Sequence, residues 1–282
     1  MSKEDNQDAI TKEEIAGTAP SASSALPPRN AFSALMSKRK ASSASPSPST
    51  SKKPYNKNTL SPRDGLGAYI NHPEKYDASR IIFHDDNFVA INDLYPKSSV
   101  HALLLPRSQE HTLQHPFDAF EDAEFLVSVQ EQAAKLRDIV GKELQRRYGK
   151  FSKQDIPRER VLNGEVEIER AEDMPVGRDW NKEVKVGIHA HPSMNHLHIH
   201  VLSVDRYSEC LKHRKHYNSF ATPFFVELAD FPLAKDDVRR HPGKEGYLSS
   251  DLLCWRCRAN FGNKFARLKE HLREEFEEWK KE

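Results

Sequence analysis

Three histidines in the second half of the chain are separated by single apolar residues. His196, His198 and His200 alternate with Leu, Ile and Val, and the pattern runs on into residues 201–202. A period of two on a β-branched background predicts a strand, here residues 196–204, whose alternate side chains share one face. Three imidazoles would therefore point the same way from one element.

Two kinds of chemistry use such an arrangement. Closely spaced imidazoles chelate a metal ion, or one of them attacks phosphorus while its neighbours orient it and donate hydrogen bonds to phosphoryl oxygens. A solvated face with chance histidines is the alternative without a function, but such a face rarely repeats one titratable residue three times. The nearest carboxylate, Asp205, lies outside the motif, which disfavours a metal centre. The pattern therefore favours attack on phosphorus.

Residues 196–202 resemble the signature of the histidine triad superfamily of nucleotidyl hydrolases and transferases, and Ser193 has a counterpart there. The resemblance implies an α+β fold, with helices packed on an antiparallel sheet. It also implies that His198 attacks the α-phosphate of a nucleotide and forms a covalent nucleotidyl-histidine, which water then resolves. Residues 203–205 read Ser-Val-Asp where small-molecule members usually have Gly-Gly-Arg, which points to a particular branch.

That branch is similar to aprataxin, which removes AMP from adenylated DNA 5′ ends. Four ordered motifs carry the resemblance across residues 60–282, less an insertion: residues 93–97, 189–194 and 215–220, and a terminal zinc finger. The resemblance implies a DNA repair hydrolase that acts on ends left by abortive ligation and restores a 5′-phosphate. Removal of GMP from guanylated DNA ends is a further implied activity.

The resemblance also assigns roles in the site. His189 assists the leaving DNA phosphate, while His196 and backbone carbonyls are candidates for fixing the tautomer of His198. Asp93 would hold a ribose hydroxyl or position Lys97. The predicted catalytic residues are His189, His196, His198 and His200, and the predicted nucleotide- and phosphate-binding residues are Asp93, Lys97, Ser193 and Met194.

A short basic run at residues 212–216 lies beside several aromatic residues. Basic and aromatic side chains interleaved in this way suit a phosphate backbone with a stacked end, and a solvated loop is the alternative. In related fungal proteins an aromatic wedge precedes this domain, whereas here Leu66 or Pro62 would have to serve, or end recognition differs. The predicted DNA contacts are Lys215, His216, Asn218 and Ser219, together with Lys264 and Arg267 in the finger.

A zinc finger is predicted near residue 252. Cys254 and Cys257 have metal-ligand spacing, and His271 and Glu275 lie four apart on one predicted helix face. These four residues predict one structural zinc ion, with Glu274 or water as the alternative last ligand. Phe261, Phe265 and Leu268 would form a small finger core. We expect this finger to act as a DNA clamp without a part in the chemistry, and we expect no catalytic metal.

The other elements follow from periodicity. Residues 81–83, 88–91 and 102–105 predict three strands of an antiparallel meander, and residues 121–148 predict an amphipathic helix over the sheet. A short helix is expected between Ser61 and Ile70, and residues 151–182 are an insertion or hairpin. The predicted domains are a catalytic domain over residues 61–230 and the finger over residues 231–282.

Residues 1–60 form a Ser- and Pro-rich tail that is predicted to be disordered. Basic clusters flank its residues 41–51, and they are interpreted as a nuclear import signal, a DNA tether or both, with a solvated tail as the alternative. With a net charge of +1, a pI near 7.8 and only three cysteines, the chain predicts a protein of a reducing compartment without a disulfide framework. No apolar run is long enough to span a membrane.

We therefore expect a nuclear monomer whose partners are nicked or damaged DNA with a 5′-adenylate, and repair proteins bound through the tail. AMP would be its product. Two rival functions remain open. A hydrolase of nucleoside phosphoramidates or dinucleoside polyphosphates would not need the finger, and a non-catalytic DNA-end binder would not need His198.

Overall fold

The computed structural model describes residues 62–282, so the predicted tail and its basic clusters lie outside the described residues. The strands are β1 (Ile81–His84), β2 (Phe88–Asn92), β3 (His101–Pro106), β4 (Val184–His189), β5 (Ile199–Ser203) and β6 (Phe225–Glu227). The helices are α1 (Gly67–Asn71), α2 (Pro116–Ala119), α3 (Ala123–Tyr148), α4 (Ile156–Leu162), α5 (Arg214–Ala221), α6 (Pro242–Glu245) and α7 (Phe265–Trp279). Single 3₁₀ turns connect several of them.

The strands form one antiparallel sheet in the order β1-β2-β3-β5-β4-β6. This confirms the predicted meander of β1 to β3 and the predicted antiparallel sheet. The alternation along β3 sends Ala102 and Leu104 to one face of the sheet and His101 and Leu103 to the other. The sheet therefore separates an apolar core from the face that carries the histidines.

Helix α3 covers the apolar face. Its N-cap Asp122 accepts hydrogen bonds from the backbone N–H groups of Glu124 and Phe125, which satisfies two donors of the first turn. The predicted apolar stripe is confirmed as core packed on β3, β4 and β5. Its members are Leu126, Val129, Ala133, Leu136, Val140 and Leu144.

The opposite face of the sheet is covered by two smaller apolar clusters. Helix α1 places Leu66 and Ile70 over β1, β2 and β3, and Phe220 and Phe225 pack together with Leu202 on the other side. Gly187 allows the second cluster to form, because a Cβ there would lie 2.8 Å from the Phe225 ring and 2.3 Å from the Val226 carbonyl oxygen. Between the two clusters the histidines line a polar pocket.

Three predicted elements differ from the structure. Strand β5 begins only at Ile199, so His196 and His198 lie in the preceding loop and do not share a strand face with His200. Residues 151–182 contain α4 and 3₁₀ turns instead of a hairpin, and Asn163-Gly164 ends α4. The basic run at residues 212–216 leads into α5, a helix that the sequence analysis did not predict.

The finger and the catalytic domain share apolar cores. Leu268 and Leu272 of α7 pack with Cys254 and with Tyr217 of α5, and Phe261 and Phe265 contact the same cluster, which confirms the predicted finger core. The last turns of α7 then place apolar residues in the main core beside α3. Within residues 62–282, no helix has the length and apolar character to cross a membrane.

Candidate active site and zinc site

Four imidazole rings form one cluster on the polar face of the sheet. The His200 ring centroid lies 4.5 Å from that of His189, 4.9 Å from that of His198 and 5.1 Å from that of His101. Adjacent strands β3, β5 and β4 supply three of these rings, and Phe220 packs against the same group. All four imidazoles are buried.

The tautomer of His198 is fixed by the chain itself. Nδ1 of His198 lies 2.8 Å from the backbone carbonyl oxygen of His196, which can only accept a hydrogen bond. Nδ1 therefore carries the proton, and Nε2 keeps the lone pair that a nucleophile needs. The carbonyl of His196 thus takes the orienting role for which the sequence offered two candidates.

His101 is a site residue that the sequence analysis missed. The backbone N–H of Lys97 donates to Nδ1 of His101 at 3.1 Å, so the proton of a neutral His101 lies on Nε2. That Nε2 lies 3.0 Å from Nδ1 of His200 and donates to it. His200 therefore carries its own proton on Nε2, which is buried without a hydrogen-bond partner among the described residues. The one feature of the sequence that indicated a role for His101 is that it is a polar residue at the start of an apolar strand.

Burial keeps these rings neutral. It lowers the pKa of His101 to about 4 and the pKa values of His189 and His200 well below the usual range. It also lowers the pKa of His198, while the hydrogen bond to the His196 carbonyl acts in the opposite direction. At neutral pH the pocket therefore offers an unprotonated nucleophile and neutral donors.

Asp93 lies beside this network. Its Oδ1 accepts the backbone N–H of Tyr95 at 2.8 Å, and its Oδ2 lies 3.2 Å from Nδ1 of His101. Asp93, His101 and His200 offer ligand atoms within 4.8 Å of one another. However, both ring nitrogens of His101 and Nδ1 of His200 already take part in hydrogen bonds, so His101 has no ring nitrogen left for a metal. The arrangement is that of a hydrogen-bonded relay.

His196 occupies a different position from the other three predicted catalytic histidines. Its ring lies against α1, where a Cβ on Gly67 would come within 2.9 Å of the ring. The same loop is held by Arg63, whose Nε donates to the Ser193 carbonyl at 2.6 Å, and by Asn195, which donates to Asp64 at 2.7 Å. The side chain of His196 therefore helps to seat the segment before α1, and its carbonyl serves the site.

The residues predicted to bind the nucleotide lie around the pocket. Lys97 is buried, and its Nζ donates to the Tyr95 carbonyl at 2.5 Å. The hydroxyl of Ser193 is buried and has no partner among the described residues. Met194 packs at the edge of the α1 cluster. Buried polar atoms of Ser193, His189 and His200 have no partner among the described residues, which fits a polar ligand with several oxygens.

The structure places the predicted DNA contacts in two environments. Lys264 and Arg267 are exposed at the start of α7. His216, Asn218 and Ser219 are buried, and the Asn218 amide donates to the carbonyls of Ser250 at 2.8 Å and Leu248 at 3.4 Å. Asn218 thus ties α5 to the segment that enters the finger, and its contact with DNA stays a prediction.

Two expectations about apolar contacts to DNA are wrong. Phe220, Phe224, Phe225 and Tyr217 are buried, so they form the inner wall and the core instead of a platform for a stacked base. Leu66 is also buried, in the cluster beneath α1, and a wedge between bases has to be exposed, so Leu66 is not the wedge. The alternatives of Pro62 as the wedge and of a different mode of end recognition stay predictions.

The finger residues come together as the sequence predicts. Ligand atoms of Cys254, Cys257, His271 and Glu275 lie within 4.8 Å of one another, with 3.1 Å between Cys257 Sγ and His271 Nε2 and 3.1 Å between that nitrogen and Glu275 Oε1. Two sulfur atoms, one imidazole and one carboxylate suit a tetrahedral structural zinc ion. Arg256 donates to the other oxygen of Glu275 at 2.6 Å, while Glu274 is exposed and outside the cluster. The cluster that fits zinc therefore contains Glu275 and not Glu274.

Comparisons with known proteins agree with this arrangement. Residues 74–207 match the HIT domain family, and residues 221–278 match the C2HE / C2H2 / C2HC zinc-binding finger. The chain is 34% identical to an aprataxin-like protein of Schizosaccharomyces pombe, over 80% of this chain and 86% of that protein. It is 35% identical to an aprataxin-like protein of Saccharomyces cerevisiae, over 77% and 97%. It also superposes on the solved structure of Hnt3 in complex with DNA and guanosine, with 31% identity, a TM-score of 0.57 and coverage of 77% and 96%.

Proposed function

Because the chain belongs to the aprataxin-like family of histidine triad proteins with a C2HE zinc finger, we propose that it is a DNA repair hydrolase that removes AMP from 5′-adenylated DNA ends. Such ends remain when ligation is aborted, and they carry AMP through a pyrophosphate on the DNA 5′-phosphate. The observation that supports a catalytic role most directly is the tautomer of His198, because its proton is held by a carbonyl and its Nε2 is available.

In the first step Nε2 of His198 attacks the phosphorus of AMP. An N–P bond forms, and the bond from that phosphorus to the bridging oxygen breaks, with its electron pair leaving on the DNA 5′-phosphate. His189 or the Nε2–H of His200 donates a hydrogen bond to the oxygens on which charge grows. The ring of His198, now bonded through Nε2, still donates Nδ1–H to the His196 carbonyl.

In the second step water attacks the same phosphorus, the N–P bond breaks and AMP leaves with the new oxygen. His198 regains the lone pair on Nε2, and the water proton passes to solvent or to a neighbouring imidazole. Lys97 and Ser193 hold phosphoryl oxygens in both steps, since a buried cation and an unsatisfied hydroxyl are most useful where negative charge develops.

Basic residues of the finger and of the adjacent α5 suit the binding of duplex DNA. Lys264 and Arg267 are exposed at one end of α7, and Lys215 lies at the start of α5. Solved Hnt3 binds DNA together with guanosine, which supports GMP removal from guanylated DNA ends as a second activity of this chain. The structural zinc ion would be held by Cys254, Cys257, His271 and Glu275 and would stabilise the finger, with no part in the reaction.

The rival functions are separated by one experiment. Single-turnover hydrolysis is compared on nicked duplex DNA with a 5′-adenylate and on an adenylated dinucleotide of the same pyrophosphate chemistry. A DNA repair hydrolase cleaves the nicked substrate with a kcat/KM that is higher by at least about tenfold, since the finger binds duplex. Equal kcat/KM values indicate a small-molecule hydrolase, and binding of DNA without cleavage indicates an end-binding protein.

A nuclear location follows from this function, because the substrate is a break in genomic DNA. The basic clusters at residues 38–40 and 52–53 are the segments proposed for import, and repair proteins are the partners proposed for the tail. Neutralising both clusters and following a fluorescent fusion by microscopy tests import. An unchanged nuclear signal would leave the clusters with another role.

A further inference from the structure

Arg206 is a buried cation behind the Phe220 ring of the active site, with only 4% of its surface exposed. Its backbone has φ of 50°, in the left-handed region that residues other than glycine rarely adopt. Such conformations persist where the surrounding structure holds them, and they are common near functional sites. The strained backbone turns the side chain back under the sheet instead of out to solvent.

The guanidinium joins three elements of the site. Nη1 donates to the Ser98 hydroxyl at 3.2 Å and to the Ser203 carbonyl at 3.0 Å, and Nη2 donates to the Phe220 carbonyl at 3.0 Å. Ser98 follows Lys97 in the loop between β2 and β3, Ser203 ends β5, and Phe220 belongs to α5. One planar group therefore fixes the loop and the helix to the strand that carries His200.

All three acceptors are neutral oxygens, so among residues 62–282 no hydrogen bond from this guanidinium to a carboxylate balances the charge. The nearest acidic side chain in sequence, Asp205, instead accepts hydrogen bonds from the N–H and hydroxyl of Ser99 and from Tyr207. Nε of Arg206 is also buried without a partner among the described residues. A buried cation is costly unless paired, so its presence here requires a benefit.

One aromatic ring, that of Phe220, lies between the guanidinium of Arg206 and the histidines. The guanidinium carbon lies 5.7 Å from the centroid of Phe220, and that ring lies 4.5 Å from His189, 5.0 Å from His200 and 5.5 Å from His101. Resting on the proposed function, we propose that Arg206 is a positioning residue of the active site that fixes the Lys97 loop and the Phe220 wall and makes the pocket favourable for an anionic phosphate.

The charge of Arg206 also affects the protonation of His101 and His189. Burial is the main reason that the pKa values of His101 and His189 are low, and Arg206 lowers both further. The other charged or titratable groups facing these rings are Asp93, Lys97, His198 and His200; Arg206 itself also faces Asp205, Tyr217 and Glu227. Without the charge His101 and His189 protonate at higher pH. A protonated His101 can no longer accept the Lys97 N–H, so the acid limb of the pH–rate profile moves upward.

Two substitutions separate charge from geometry. Arg206→Gln removes the charge but keeps an amide donor, and Arg206→Lys keeps the charge but loses the planar fork. Single-turnover rates on 5′-adenylated nicked DNA are measured across the acid limb, with thermal unfolding to verify folding. Arg146→Gln, which removes an exposed charge on α3, is the control.

We expect Arg206→Gln to slow the reaction about tenfold and to move the acid limb upward by roughly half a pH unit. Arg206→Lys should slow the reaction about fivefold and leave the acid limb of the pH–rate profile unmoved. An ammonium group keeps the charge but cannot span two elements as the guanidinium does. A slower Gln variant with an unmoved limb would overturn the proposal, since any structural residue gives that result. Should the Gln variant fail to fold, a wild-type rate in Arg206→Lys overturns it. Failure of the proposed function is distinct, because wild-type protein would then be inactive on this DNA.

Discussion

Proton placement decides what each histidine in the pocket can do. Nδ1–H of His198 donates a hydrogen bond to a backbone carbonyl, and Nε2–H of His101 donates one to His200 because the Lys97 N–H occupies the other nitrogen of His101. One imidazole is thereby an acceptor and another a donor at the same neutral pH. This division of roles comes from hydrogen bonds to the backbone as much as from the side chains themselves.

The relay through His101 is tested by a matched pair of substitutions. His101→Leu leaves Nδ1 of His200 without a donor, so the tautomer of His200 is no longer fixed and we expect the single-turnover rate to fall by about a hundredfold. His101→Gln keeps an N–H donor at the same place and should retain most of the activity. Equal losses in the two variants would show that His101 acts through packing alone.

Lys97 should matter more for chemistry than for binding. Its charge is most useful when phosphoryl charge grows in the transition state, so Lys97→Gln should lower the single-turnover rate by about a hundredfold and weaken DNA affinity less than threefold. Both quantities are measured on one adenylated duplex. If only the affinity changes, Lys97 binds the ground state and has no special role in the transition state.

At the scale of elements, the insertion at residues 151–182 holds the end of α7. Arg178 donates to the Trp279 carbonyl at 2.6 Å and lies 3.0 Å from Glu183, with its guanidinium carbon 4.5 Å from the Trp180 ring and 5.1 Å from the Trp279 ring. Buried Asp155 accepts the backbone N–H of Arg178 and the indole N–H of Trp180. The insertion is therefore a structural clamp, which its polar sequence did not indicate.

Breaking this clamp should be costly. Arg178→Ala removes a buried cation that contacts both indoles and leaves Glu183 and the Trp279 carbonyl without it, so we expect a loss of about 3 kcal/mol in the free energy of unfolding. Arg170→Ala, at an exposed ion pair with Asp173, should change it by less than about 0.5 kcal/mol. Urea unfolding measures both. A small effect at Arg178 would mean that the indoles alone hold α7.

The elements that the sequence predicted are those with local periodicity. Strands β1 to β3 and helix α3 follow from spacing within each segment, and the finger ligands follow from their offsets along one helix. His101 and Arg206 were missed because their roles depend on partners far along the chain. The predicted strand began too early because the alternation of histidines starts at His196. In the structure the His196 ring lies against α1, and β5 begins only at Ile199.

At the scale of the whole molecule, the finger is part of the catalytic fold. Phe276 and Trp279 of α7 lie in the main core, where Phe276 stacks on Tyr207 at 4.3 Å and Trp279 packs against Tyr148. Deleting residues 250–282 would therefore unfold both parts and lower activity on every substrate. A finger that is only a DNA clamp is too simple a description, and its role in DNA binding has to be tested with surface charges.

Lys264 and Arg267 supply that test, since both are exposed and lie at the start of α7. Replacing each by Gln should lower the slope of log affinity against log salt by about 0.9 per lost phosphate contact on duplex DNA. Hydrolysis of an adenylated dinucleotide should stay at the wild-type rate. Lys135→Gln, an exposed charge on α3, is the control, and an unchanged slope in the finger variants would place the DNA elsewhere.

The central claim is that His198 carries the nucleotide between the two steps. The direct measurement is an acid-free rapid quench, by denaturant at alkaline pH, during a single turnover on DNA whose 5′-adenylate is radiolabelled in the AMP phosphate. Peptide mapping should then find the label on His198. His198→Ala should bind the DNA as tightly as wild type, carry no label and turn over at least about a thousandfold more slowly, because the covalent route is lost. Label on another residue, or a His198→Ala variant that keeps a tenth of the wild-type rate, would contradict the account.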